Sequence, residues 1–193
     1  MVKAKTITWL IALAILAPIG QASPGTGASP GLPRLPSEWR VTASILTDIT
    51  GDDVPEWVLL VWRPWRDWPI QDWLTVPSPI AGFHDAGGDS CHLILIDPQD
   101  GHEIWAGSAL PVPLLSLAVD DVDGDSTPEL LTVEGSYAKG RNGIGSHVSV
   151  WSWTGFGFTM EWRSSAATFV PSCLADTDRC GILNIASFRG GPE

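Results

Sequence analysis

Asp121-Val122-Asp123-Gly124-Asp125-Ser126-Thr127-Pro128-Glu129-Leu130 is the stretch whose reading decides the fold. It sets carboxylates at Asp121, Asp123, Asp125 and Glu129, which are loop positions 1, 3, 5 and 9. Four acids this close repel one another unless a cation lies among them. Oxygen-only ligands in a short turn suit a hard ion, and Ca²⁺ accepts loose geometry more readily than Mg²⁺. The backbone carbonyl of Thr127 would add a further oxygen. The apolar run from Leu130 to Val133 predicts a strand leaving the loop. The pattern is not an EF-hand, which needs Gly at position 6 and Glu at position 12. The plain alternative is a solvated Asp/Gly turn that needs no ion.

The loop recurs. Asp48-Ile49-Thr50-Gly51-Asp52-Asp53-Val54-Pro55-Glu56-Trp57 aligns with it without a gap. Asp48, Gly51, Asp52, Pro55 and Glu56 match Asp121, Gly124, Asp125, Pro128 and Glu129. Thr50 stands where Asp123 does, and the carbonyl of Val54 where that of Thr127 does. This copy has one carboxylate fewer and is expected to bind more weakly. A third, worn copy begins at Asp176 and keeps Asp178, with Cys180 at position 5 and Asn184 at position 9. It is not expected to hold an ion well. A Glu-aromatic signal precedes each loop, at Glu38-Trp39-Arg40, Glu103-Ile104-Trp105 and Glu161-Trp162-Arg163. The loops start 73 and 55 residues apart, and a Trp-rich insertion after Val61 accounts for the difference. Repeats of this period indicate a propeller, a solenoid or an array.

The arrangement resembles the FG-GAP/VCBS repeat family, whose best-known members form the head of integrin alpha chains. The loop Asp121–Glu129 matches the family's Asp-x-Asp-Gly-Asp-Gly-x-x-Asp/Glu pattern, with Ser126 in place of the usual Gly. If that position needs a positive φ, Ser is costly there, and Asp53 in the first copy tolerates it better. Gly155-Phe156-Gly157-Phe158 echoes the Phe-Gly element. The resemblance covers residues 38–188. It implies four-stranded β-propeller blades, with Ca²⁺ in the loop leading into a blade strand.

Composition frames this domain. Residues 1–22 read as a secretory signal, with Lys3 and Lys5 before an apolar core from Ile7 to Ile19 and a Gly20-Gln21-Ala22 cleavage site. An uncleaved anchor is the alternative. No Cys follows, so a bacterial lipid anchor is not expected. Residues 23–37 hold four prolines and three glycines and read as an extended linker. Residues 38–193 then form one repeat domain, with repeats around 38–102, 103–160 and 161–193. The formal net charge is −11. An acidic surface with scattered arginines disfavours nucleic acid, which needs clustered Lys and Arg.

The alternation of apolar and polar residues predicts strands nearly throughout. They cover residues 39–46, 57–62, 92–96, 103–108, 115–119, 130–134, 147–153, 159–163 and 182–188. No window outside the signal keeps a helical period. The expected fold is therefore all-β: β-propeller-like blades of antiparallel strands, about two and a half repeats. Closed propellers have about four to eight blades. An incomplete or open propeller follows, and its exposed strand edges invite self-association to complete the blades.

Three further features bear on function. Trp65, Trp68 and Trp73 lie among prolines in the insertion, where they could stack on sugar rings or anchor a protein. Alternatively they cap the edge of the first blade. Cys173 and Cys180 flank the start of the worn loop and could form a disulfide that replaces its ion. Buried thiols, or a pair involving Cys91, are the alternatives. Gly88-Asp89-Ser90 resembles a hydrolase box, but no helix follows, and neighbouring strand residues point to opposite faces. A nucleophile–base pair among Ser90, Cys91 and His92 is not expected. The chain thus reads as a secreted or cell-surface calcium-binding module for adhesion or ligand recognition, with a protein or glycan partner and no catalysis. A lectin using the Trp insertion and a non-catalytic accessory piece of a secreted hydrolase are the alternatives.

Overall fold

Every described strand of the chain falls into one of two four-stranded antiparallel sheets. The structure is a computed structural model, and it describes residues 31–67, 73, 76–141 and 143–169. The signal segment, Trp68, Cys173, Cys180 and the third loop lie outside the described residues. The first sheet contains β1 (Arg40–Thr47), β2 (Glu56–Pro64), β3 (Asp89–Ile96) and β4 (Glu103–Ala106). The second contains β5 (Leu114–Asp120), β6 (Glu129–Glu134), β7 (His147–Trp153) and β8 (Phe158–Arg163). Within each sheet the strands follow one another in chain order. The fold is all-β and blade-like, and the described residues form no closed barrel. No helix among them is long and apolar enough to cross a membrane.

The sequence of β2, Glu-Trp-Val-Leu-Leu-Val-Trp-Arg-Pro, shows why it sits mid-sheet. Its continuous apolar run is covered on both faces. Val58, Leu60 and Trp62 face the second sheet, together with Cys91, Leu93 and Leu95 of β3. Across from them lie Leu114 and Leu130, with the half-buried Leu117, Val119, Trp151 and Trp153. Leu59, Val61, Ile94 and Ile96 form the opposite face, and Leu35 and Trp39 cover it. Full burial of each such Leu or Val stabilises the fold by about 1.5–3 kcal/mol. Phe169 and Val122 cover the outer face of the second sheet over Leu131, Val133, Val148 and Val150. The first strands, β1 and β5, come together between the sheets, as they do when blades radiate from an axis.

Two side chains fasten the sheets to each other. Tyr137, in the 3-10 turn Tyr137–Lys139, sets its ring edge-on to Trp62 at 5.7 Å. Its hydroxyl donates to the Leu110 carbonyl at 2.7 Å and accepts the Cys91 N–H at 3.2 Å. Arg141 reaches from the second sheet to pair with Asp89 and lies over Trp62, 5.0 Å from the ring centroid.

The recurrent Glu-aromatic signals occupy two different places. Glu103-Ile104-Trp105 lies in β4 and Glu161-Trp162-Arg163 ends β8, so each belongs to the fourth strand of a sheet. Glu38 and Trp39 instead form the turn into β1, where the Trp39 N–H donates to the Pro36 carbonyl at 3.0 Å. Consequently the first sheet takes in residues 103–106 and the second takes in 161–163, one strand beyond the repeat bounds read from sequence.

Candidate functional site

Each acidic loop joins the first strand of its sheet to the second, β1 to β2 and β5 to β6. The register at the two loop mouths is the same. Thr47 pairs with Glu56 and Asp120 pairs with Glu129, so each glutamate opens its second strand opposite the residue before the first aspartate. The backbones match as well. Gly51 and Gly124 have φ of 77° and 83°. Asp53 and Ser126 have φ of 66° and 74°, the only non-glycine residues in the left-handed region among those described. Position 6 does require a positive φ, which accounts for the glycine expected there.

Hydrogen bonds explain why the chain turns so. Asp121 accepts the N–H groups of Gly124 at 2.7 Å and Ser126 at 3.0 Å. Asp48 accepts those of Gly51 at 2.7 Å, Asp52 at 3.1 Å and Asp53 at 2.8 Å. Such side chain to backbone bonds are what Asp offers a turn. The closing glutamates are buried, Glu56 at 3% exposure and Glu129 at 4%. Each accepts the N–H of loop position 2, Ile49 at 3.1 Å and Val122 at 2.8 Å. Burial pushes both carboxyls above their ordinary range, and the neighbouring aspartates push in the same direction.

One carboxylate oxygen from each of Asp121, Asp123 and Glu129 lies within 4.8 Å of the others, and the same holds for Asp48, Asp52 and Glu56. Asp125 is outside that 4.8 Å group, although its charge still acts on Glu129, and it accepts the Thr127 N–H at 2.7 Å. Asp52 does the same with Val54 at 2.9 Å while remaining within its group. Thr50, in the place of Asp123, donates its hydroxyl to Glu56 at 3.0 Å. A carboxylate offers about four lone-pair sites. Asp48 accepts three N–H groups against two at Asp121, and Glu56 accepts two hydrogen bonds against one at Glu129. The second loop therefore keeps more oxygen capacity for a cation. A buried carboxylate beside two others, with no basic side chain in its group, suits a divalent ion.

The two described tryptophans of the insertion, Trp65 and Trp73, differ in exposure. Trp65 is half-buried, tilts against His84 at 5.4 Å and donates its ring N–H to the Ile80 carbonyl at 3.3 Å. Trp73 is 86% exposed. Trp62, at the head of the run, is wholly buried between the sheets.

Ser90 and His92 depart from the sequence reading. They are two apart on β3, so they share a face, and the Ser90 hydroxyl meets His92 Nε2 at 2.7 Å. His92 Nδ1 lies 2.9 Å from the Gly107 carbonyl, which fixes the proton on Nδ1. Nε2 is then an acceptor, and Ser90 donates to it. Burial pushes this imidazole down to about 4. Ser90 is 1% exposed. The rule that adjacent strand residues diverge is correct, but it separates Cys91 from both neighbours and leaves Ser90 beside His92.

The same face carries a pocket that motif reading missed. Glu38, Trp39, Arg63, Pro64, Arg66 and His92 line a cavity of about 250 Å³ at the end of β2. Its residues come from the turn before β1, the end of β2 and the middle of β3. The one sequence signal was the aromatic–basic alternation from Trp62 to Arg66. No protein-family model, curated protein or solved structure matches the chain.

Proposed function

We propose that this is an exported, calcium-binding repeat protein of the FG-GAP/VCBS kind, serving as an adhesion or ligand-recognition module. The observation that carries this reading is the identity of the two loops in register, backbone and buried glutamate. Calcium would bridge the loop carboxylates and hold each first strand to its second. In the second loop the ligands would come from Asp121, Asp123, Asp125, Glu129 and the Thr127 carbonyl. In the first they would come from Asp48, Thr50, Asp52, Glu56 and the Val54 carbonyl. The ion's part is structural, and recognition would use the surfaces that the blades present. The partner is a protein or glycan outside the cytoplasm.

Hydrolysis at Ser90 is disfavoured. The hydroxyl is buried, and an imidazole pushed down to about 4 is a weak base at neutral pH. Self-association would cover open blade edges. A thermal melt by tryptophan fluorescence, in excess Ca²⁺ or chelator and at two protein concentrations, tests the calcium and self-association readings. At calcium a hundred times the dissociation constant, one site adds about 2.7 kcal/mol. That is about 5–11 °C in a chain of this size. A midpoint indifferent to calcium contradicts the loop reading, and one indifferent to concentration contradicts self-association.

A further inference from the structure

The chain carries twice as many acids as Lys and Arg residues, 22 against 11. Yet the pocket at the end of β2 gathers two guanidiniums, Arg63 and Arg66. Among the described residues, no carboxylate lies within ion-pair distance of either. Arg63 is half-buried and lies over Trp39, 5.4 Å from the ring centroid. The contact holds its plane in place. One terminal nitrogen approaches His92 Nδ1 at 3.3 Å. That nitrogen carries its own proton for the Gly107 carbonyl, so it has no lone pair to offer Arg63. Arg63 therefore lines the cavity with guanidinium donors that no carboxylate among the described residues pairs. Burial and the like charge of Arg66 both push Arg63 down, and the field of Glu103 opposes them.

The pocket's charge narrows the ligand. The lining residues, two arginines, Glu38 and a neutral His92, sum to one positive charge, which the field of nearby Glu103 partly offsets. That balances a monoanion, whereas a dianion would meet Glu38 and an acidic molecule around it. A guanidinium fork matches a planar carboxylate with two parallel hydrogen bonds. Glu38, an acceptor only, would take hydroxyl donors from the same ligand. The volume is below the range of about 300–1,000 Å³ common for drug-sized ligands and suits one sugar ring.

We propose that the pocket formed by Glu38, Trp39, Arg63, Arg66 and His92 binds the carboxylate of an acidic monosaccharide unit, with Arg63 as its principal anchor. This deepens the ligand-recognition reading but does not depend on calcium in the loops. Arg63 is seven residues along β2 from Glu56, about 23 Å at the rise of a strand.

The test is titration calorimetry of the whole chain with sodium galacturonate, alongside galactose, acetate and inorganic phosphate, each in calcium and in chelator. Galacturonate is expected to bind saturably in both, with galactose and acetate at least about tenfold weaker, since each lacks half of the contacts. Arg63→Gln and the more exposed Arg66→Gln should each weaken galacturonate, the former at least about tenfold. Each variant's melting midpoint reports on its fold, and Arg66→Gln keeps the test decisive if Arg63→Gln unfolds. Absence of saturable galacturonate binding, or affinity unchanged from the parent in both variants, overturns the proposal. Tighter binding of phosphate or of galactose than of galacturonate overturns it too. Loss of binding in chelator alone would refute only its independence from the loops. A calcium-dependent melt without galacturonate binding would leave the loop reading intact and remove this one.

Discussion

Replacing Glu129 with Gln should change stability in opposite directions with and without calcium. Glu129 has an oxygen within 4.8 Å of oxygens from both Asp121 and Asp123. Unit charges at that distance repel by about 0.9 kcal/mol in water and about 3.5 kcal/mol at an effective dielectric of 20. Both aspartates are exposed, so the water end applies. Removing these two repulsions stabilises the ion-free loop by about 2 kcal/mol, and losing the Asp125 repulsion and the buried charge acts in the same direction. The Val122 N–H would still find an oxygen, but a neutral one, which offsets about 1 kcal/mol of that gain. In chelator the variant should therefore melt about 2–4 °C above the parent. In excess calcium the order should reverse, because the variant has lost the buried charge that the ion meets. Its calcium-dependent rise should fall to what the first loop supplies. Tryptophan fluorescence melts in the two buffers measure both values. A variant that melts lower in chelator, or keeps the full calcium-dependent rise, refutes the reasoning.

Ser126→Gly should stabilise the fold. A non-glycine residue in the left-handed region costs about 1–2 kcal/mol, and the freer unfolded chain offsets about 0.4–1 kcal/mol of the relief. A urea midpoint that falls instead would contradict the strain assigned to φ of 74°. His92 sets a pH dependence. Its folded value, about 4, lies below the unfolded 6.5, so its share of stability is whole above pH 6.5 and is lost as pH falls toward 4. The total is about 3 kcal/mol. His92→Leu should flatten the midpoint between those pH values relative to the parent, and an unchanged slope would count against a buried neutral imidazole. Cys91 is buried with its thiol pushed up to about 12, and should react with a thiol reagent only on unfolding. With a Cys173–Cys180 bridge, denatured protein should show one thiol before reduction and three after; three before reduction removes the bridge.

Much of the fold was legible because strand signals are local. His147–Trp153 was read to the residue, and most other described strands to within one or two at each end. The run in β3 was missed at its start, from Asp89 to Cys91, because Asp89 and Ser90 break the apolar character before Cys91. What was not legible is which strand joins which sheet. The Glu-aromatic signals look alike, yet Glu103 begins an outer strand while Glu38 lies in a turn that covers a sheet face. A local pattern does not state its partner. The loops were legible because the carboxylates, the glycine and the closing glutamate are fixed by the turn itself. The position of Asp125 outside the 4.8 Å group was not, since it depends on which N–H groups the folded turn presents. The arginine pocket was not legible either, because it is assembled from three separate segments.

The most direct measurement is calorimetric titration of Ca²⁺ into the chelator-treated chain. Calcium in the loops predicts saturable binding with two sites of unequal affinity among the described residues. Asp123→Ala should abolish the tighter one and Asp52→Ala the weaker. Absence of saturable calcium binding, or binding untouched by either substitution, would contradict calcium as the ion of these loops.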